Sequence, residues 1–264
     1  MNENIILLSF DIEEFDLPEE FGAEIPESEK LSIAGAGTDR ILEVIEKTGI
    51  RATFFVTGKF AEAFPDLIGR MTASGGEIAS HGYDHSYFET EHLERSARVL
   101  KKISGQEIRG FRMARLAPVK KEEILKAGYR YESSLNPVWL PGRYNNLTAP
   151  LLPFREPCGL LQFPVSALPL IRFPLFWLAF KNLPLKLYCA LAAFALKRTG
   201  YYNMYSHPFE YNEQARDPKW KIPGYITRHA GPDQAKRLET LIETLRPHGR
   251  FATFTQWMEQ NERP

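Results

Sequence analysis

Eight short apolar runs rich in Ile, Val, Phe and Tyr begin near Ile5, Thr53, Glu77, Ile108, Tyr129, Leu161, Tyr202 and Phe251, and longer stretches at helical period lie between them. This alternation constrains the fold more than any other feature, because a strand, a helix and another strand in succession return the chain to one parallel sheet. Helical periodicity covers 39–47, where Ile41, Leu42, Val44 and Ile45 share a face and Gly49 stands where a helix ends in a left-handed residue. Further stretches run over about 58–73, 90–103, 119–127, 175–198 and 232–246. Seven or eight such units suit an α/β fold, a distorted (β/α) barrel of about seven to eight parallel strands, better than an open doubly wound sheet. At 264 residues the chain is of ordinary length for one barrel around one core, so 1–264 reads as a single domain.

Charge narrows the partners. Lys plus Arg and Asp plus Glu both number 33, so no net field draws the protein to nucleic acid or to an anionic membrane. Cys158 and Cys189 are 31 positions apart and in no metal-like spacing. The N-terminal apolar run has no basic stretch before it and meets acidic residues within a few positions, which predicts a cytoplasmic protein without a signal peptide. The most hydrophobic stretch, 168–196, is long enough to span a bilayer but is interrupted by Arg172, Pro174, Lys181, Pro184 and Lys186. It reads as a packed or interfacial helical segment, compatible with peripheral membrane contact. The stretch 136–157, with five prolines and adjacent asparagines, reads as a long functional loop.

In a parallel barrel the loops that follow the strands share one face, so polar residues just beyond strand ends converge there. The first strand runs into Asp11-Ile12-Glu13-Glu14-Phe15-Asp16, an acidic group that could equally be a solvated loop start or a helix cap. The third runs into His81-Gly82-Tyr83-Asp84-His85, with two imidazoles four residues apart. On a helical turn both rings would face one cation, and a carboxylate from the first strand would complete an open three-ligand site. Strand four delivers Arg112 and strand seven delivers His207 before Pro208. Each has a structural alternative, an ion pair or a strand-end cap, but four such residues on one face form a constellation.

These residues resemble the polysaccharide deacetylase family, which shares the NodB homology domain. The resemblance runs from Leu8-Ser9-Phe10-Asp11 through Ala52-Thr53-Phe54-Phe55-Val56 and His81-Gly82-Tyr83-Asp84-His85 to Tyr205-Ser206-His207-Pro208. Tyr131-Glu132-Ser133-Ser134 and Pro141-Gly142-Arg143-Tyr144 resemble a bacterial branch associated with surface-polysaccharide biosynthesis. The resemblance implies a metal-dependent hydrolase that removes acetyl groups from an N-acetylated sugar or polysaccharide, with one divalent ion, zinc first and cobalt, nickel or manganese after it. It makes Asp11 the general base, His207 the general acid, Arg112 the residue that orients the base, and Glu132 the carboxylate that polarises His207.

Three departures stand out. Many members carry a second aspartate after the base as metal ligand, whereas here Ile12 stands there, which makes Glu13 the ligand beside His81 and His85, with Asp16 as fallback. Gly82 replaces the usual hydroxyl residue, and Glu132 replaces an aspartate. Trp139 and Arg143 are expected to contact a sugar face and an anionic group. The expected partner is an acetylated saccharide, free or lipid-linked. The competing readings are a metal-independent hydrolase of small cyclic amides or imides, and a catalytically silent saccharide-binding module.

Overall fold

The computed structural model describes residues 3–261. Its strands are β1 (Ile5–Ile12), β2 (Thr53–Val56), β3 (Glu77–Ser80), β4 (Gly110–Phe111), β5 (Tyr131–Glu132), β6 (Trp139–Leu140), β7 (Tyr144–Asn145), β8 (Phe154–Arg155), β9 (Leu161–Gln162), β10 (Tyr201–Ser206) and β11 (Arg250–Phe251). The main sheet runs β10–β1–β2–β3–β4–β5–β9–β8, with β11 beside the start of β1. Every neighbouring pair is parallel except β8 with β9. Eight parallel strands therefore occupy the eight positions expected, and the sheet curls into a distorted (β/α) barrel. Irregular backbone bridges its open side, where the Ser166 amide donates to the Asn203 carbonyl at 2.9 Å and the Asn203 amide donates to Ser166 Oγ at 2.8 Å.

Side-chain alternation along the strands sorts the core into two layers. Ile6, Leu8, Phe10 and Ile12 of β1 pack outward with Ile41, Leu42 and Ile45 of the Glu27–Thr48 helix. Ile5 and Leu7 point into the barrel with Phe55, Tyr131, Leu161, Phe163 and Phe254. The Phe254–Asn261 helix plugs the end at which the strands begin, where the Phe254 amide donates to Thr53 Oγ1. The other end, where strands pass into loops, carries the polar residues.

Prolines and glycines account for most differences from the sequence reading. The helical stretch 58–73 is two helices, Gly58–Ala63 and Pro65–Ala73, and 175–198 is Trp177–Asn182 followed by Leu185–Thr199 after Pro184. The helix expected over 39–47 starts at Glu27; its early half holds Gly35 and Gly37, poor helix formers that mask the pattern. A Cβ on Gly37 would lie 2.0 Å from the Pro208 carbonyl oxygen, so glycine is what lets this helix press against the loop after β10. The 136–157 stretch is ordered around an antiparallel β6–β7 hairpin and β8. No helix among the described residues is long and apolar enough to cross a membrane.

Candidate active site

The alternation that builds the core also aims the site. Asp11 continues the inward series of Ile5, Leu7 and Ser9, while Ile12 belongs to the outward layer and is fully buried beneath the helices. Residue 12 therefore faces away from the barrel mouth, and the next side chain able to face the mouth is Glu13. Asp11 accepts from Arg112 Nη1. Arg112 has no exposed surface; it also donates to Ser9 Oγ, to the Ser133 carbonyl and to Ser133 Oγ, and it lies 4.0 Å over the Phe55 ring. Each guanidinium nitrogen is thus engaged, which fixes the Asp11 carboxylate.

Glu13, His81 and His85 come together, their donor atoms within 4.8 Å of one another. Glu13 Oε2 is 2.8 Å from His81 Nε2 and 3.0 Å from His85 Nε2. A backbone carbonyl and a carboxylate only accept, so His81 Nδ1 donates to the Arg112 carbonyl at 2.9 Å and His85 Nδ1 donates to Asp16 Oδ1 at 2.8 Å. Both rings are thereby turned with Nε2 toward Glu13, the arrangement a ligating histidine needs. Donors on a tetrahedral zinc-like ion with bonds of about 2.0–2.1 Å sit roughly 3.3 Å apart. The two Glu13 contacts would each lengthen by a few tenths of an ångström to admit such an ion between the three groups. Burial opposes ionisation of Glu13, but the His85 charge and the two imidazole hydrogen bonds outweigh it and hold its pKa well below the usual carboxylate range. Burial likewise opposes protonation of His85, and Glu13 and Asp16 overcome it, pushing its pKa up to about 10. Two carboxylates thus favour positive charge at this point. Asp16 orients His85 and also binds Ser86 and Arg115. The turn at Gly82 has φ +85°, a conformation glycine adopts without strain, and its amide donates to Ser80 Oγ.

His207 faces this group across the cleft, but not with the expected partner. Phe111 pairs in register with Glu132, and Arg112 reaches its successor, Ser133, inside the barrel. Glu132 therefore leaves the outer face of the sheet, where it pairs with Lys121 rather than His207. His207 Nδ1 is instead 3.0 Å from Glu210 Oε1, which also accepts from the His207 amide at 2.8 Å. Glu210 is completely buried, and its other oxygen lies 3.3 Å from Nζ of the equally buried Lys181. Burial would raise the Glu210 pKa, but Lys181 and His207 hold it below the ordinary value. Burial would lower that of His207, but the hydrogen bond to Glu210 and the charges of Glu13, Glu210 and Asp11 raise it. Two signals in the chain point to this arrangement: Glu210 sits three residues after His207 with Pro208 between, the spacing of a capped turn, and Lys181 is a charge inside an apolar run.

These groups open into a cleft of about 490 Å³ that includes Asp11, Glu13, His81, His85 and His207. Arg143 lines it as expected, but Trp139 does not: it is 61% exposed on the hairpin, while its neighbour Leu140 faces the cleft. The aromatic wall is Trp177, whose ring meets His207 edge-on at 5.1 Å between centroids. Arg115 and Leu116, consecutive residues with φ of 56° and 52°, form another wall; Arg115 is held there by Asp16, Glu20 and the His85 carbonyl. Such strained backbone persists where surroundings over-determine it.

Comparison with known proteins bears on family and fold. The polysaccharide deacetylase family model matches residues 2–131. A peptidoglycan deacetylase of Helicobacter pylori is 28% identical over 112 residues, covering 38% of this chain and 37% of that protein. The matched part thus spans well under half of the relative's length. Among solved structures, a polysaccharide deacetylase of Mycobacterium smegmatis superposes with a TM-score of 0.68 at 18% identity, over 98% of this chain and 91% of the other. An allantoinase gives 0.67 at 18% identity, over 99% and 93%. At that identity both speak to the fold alone.

Proposed function

On the match of residues 2–131 to the polysaccharide deacetylase family model, we propose that this chain is a metal-dependent hydrolase removing acetyl groups from an N-acetylated sugar or polysaccharide. The observation that carries the proposal is the convergence of Glu13 Oε2 and the Nε2 atoms of His81 and His85 in the cleft that holds the Asp11–Arg112 pair and His207. Two imidazoles and one carboxylate suit zinc and leave positions open for water and substrate. A cation bound there supplies Lewis acidity, lowering the pKa of water and polarising a carbonyl.

The chain's own residues supply the proton transfers. Asp11, held by Arg112, takes a proton from the attacking water. His207, whose protonated form Glu210 favours, gives a proton to the departing nitrogen. Trp177 covers the edge of the imidazole and limits water access to it.

Acetate release from acetylated oligosaccharides tests the proposal. Activity lost on chelation, restored by about one equivalent of zinc and absent in His81→Ala is the expected result. Turnover that survives exhaustive metal removal ends it in favour of metal-free hydrolysis.

A further inference from the structure

Beside the cleft lies a second cavity of about 560 Å³ on the outer flank of β5 and β9, sharing Arg115, Leu116, Arg143 and Tyr144 with it. Its polar lining is unusual. Tyr131, Leu161 and Phe163 point into the barrel, so Gln162 leaves the sheet on the opposite face, as does its register partner Glu132. Gln162 is 1% exposed and lines the cavity, yet neither its amide oxygen nor its amide nitrogen has a partner. Asn136, also 1% exposed, donates to Tyr144 Oη at 2.9 Å, but its own Oδ1 has no partner. Leaving buried amide groups unpaired is costly, so three such atoms at one cavity are expected where a ligand satisfies them.

We propose that this cavity is a second saccharide subsite, holding a neutral sugar unit linked to the one presented to Asp11 and His207, with Gln162 and Asn136 reading its hydroxyl or acetamido groups. The inference rests on the saccharide reading of the neighbouring cleft. Neutrality follows from the charges. Lys121 is taken up by Glu132 and Arg115 by Asp16 and Glu20, and the two charges left on the lining, Arg143 and Glu156, are of opposite sign. Gln162 offers a donor and an acceptor and Asn136 an acceptor, which matches hydroxyl groups that donate and accept in turn. Leu116, Pro118 and Tyr144 give the apolar surface on which a pyranose face rests. The two cavities adjoin along these shared residues, and in the proposed mode a glycan passing over Arg143 and Tyr144 occupies both.

The test is titration of the full chain with N-acetylglucosamine and with its β-1,4-linked trimer, followed by calorimetry and by NMR of the Gln162 side-chain amide. The trimer is expected to bind at least about tenfold tighter than the monomer, the scale of one or two well-made hydrogen bonds. The Gln162 amide resonances should move with the trimer and not with the monomer. Gln162→Leu, close in volume, should bring the two affinities within about twofold; the NMR readout on the unaltered chain covers the case in which this variant folds poorly. Equal affinities, no binding of either sugar at millimolar concentration, or a trimer preference that survives in folded Gln162→Leu overturns the subsite. Acetate is measured on the same sugars. No acetate together with an intact trimer preference ends the deacetylase reading alone, and acetate without that preference ends the subsite alone.

Discussion

On one wall of the cleft, Glu13, His81 and His85 stand just beyond the ends of β1 and β3, and their aim is set by strands buried on both faces. On the other wall, His207 follows β10 but takes its orientation from Glu210 in the succeeding turn, which is held in turn by Lys181 from the Trp177–Asn182 helix. The first wall is thus anchored in the sheet, while the second depends on a helix that must dock correctly. Damage to the first should remove the cation and all that depends on it. Damage to the second should leave the cation bound and disturb only proton delivery.

The sharpest separation of the walls comes from His81→Ala. Bound metal should fall from about one equivalent to none by mass spectrometry, and acetate release should drop by at least about 10²-fold, the scale for losing stabilisation of a developing oxyanion. Full metal occupancy in this variant would break the contrast. Asp16→Asn probes the same wall one contact further out. It weakens the hold on His85 Nδ1 without removing a donor atom of the three, and metal affinity should fall about 10–100-fold in a competition titration.

The second wall is probed through pH. The charge of Glu210 helps keep the His207 pKa above its ordinary value, so the protonated form is present at low pH and is lost as pH rises through the folded pKa. Glu210→Gln removes that support. The alkaline limb of the kcat profile should then move to lower pH, and kcat above neutrality should fall by about tenfold or more, with metal content retained. The variant also strands the buried Lys181, so unfolding in urea should show a loss of about 3–5 kcal/mol.

The strands and the residues at their ends were legible in the sequence because a buried parallel strand leaves a local mark, a short apolar run followed by polar residues. Asp11, Glu13, His81, His85, Arg112 and His207 all follow such runs, and the structure brings them to one end of the barrel. What the sequence left hidden is set by register and by docking. Whether Glu132 or its successor Ser133 faces inward depends on a parity that a two-residue strand does not display. Trp177 reaches His207 only because the helix bearing it folds over β10, whereas Trp139 lies on a hairpin whose twist turns it outward. Gly35 and Gly37 hid half a helix, because their purpose is a close contact made elsewhere in the chain.

The smallest effect expected is also the one that most directly checks the exchange of Glu132 for Glu210. Glu132 has no exposed surface, and its ion pair is with Lys121, which is partly open to solvent on the outer flank of the sheet. Burial holds the Glu132 pKa above its ordinary value, against the pull of Lys121, so replacing it with glutamine removes a charge that its surroundings already disfavour. Arg112, Ser133 and the wall of β5 lie between it and His207, and the two make no contact. Glu132→Gln should therefore leave the alkaline limb of the kcat profile where it stands in the unaltered protein. A displacement equal to that of Glu210→Gln would show that charge on the outer face reaches the imidazole through the sheet, and the two walls would no longer be separable by position alone.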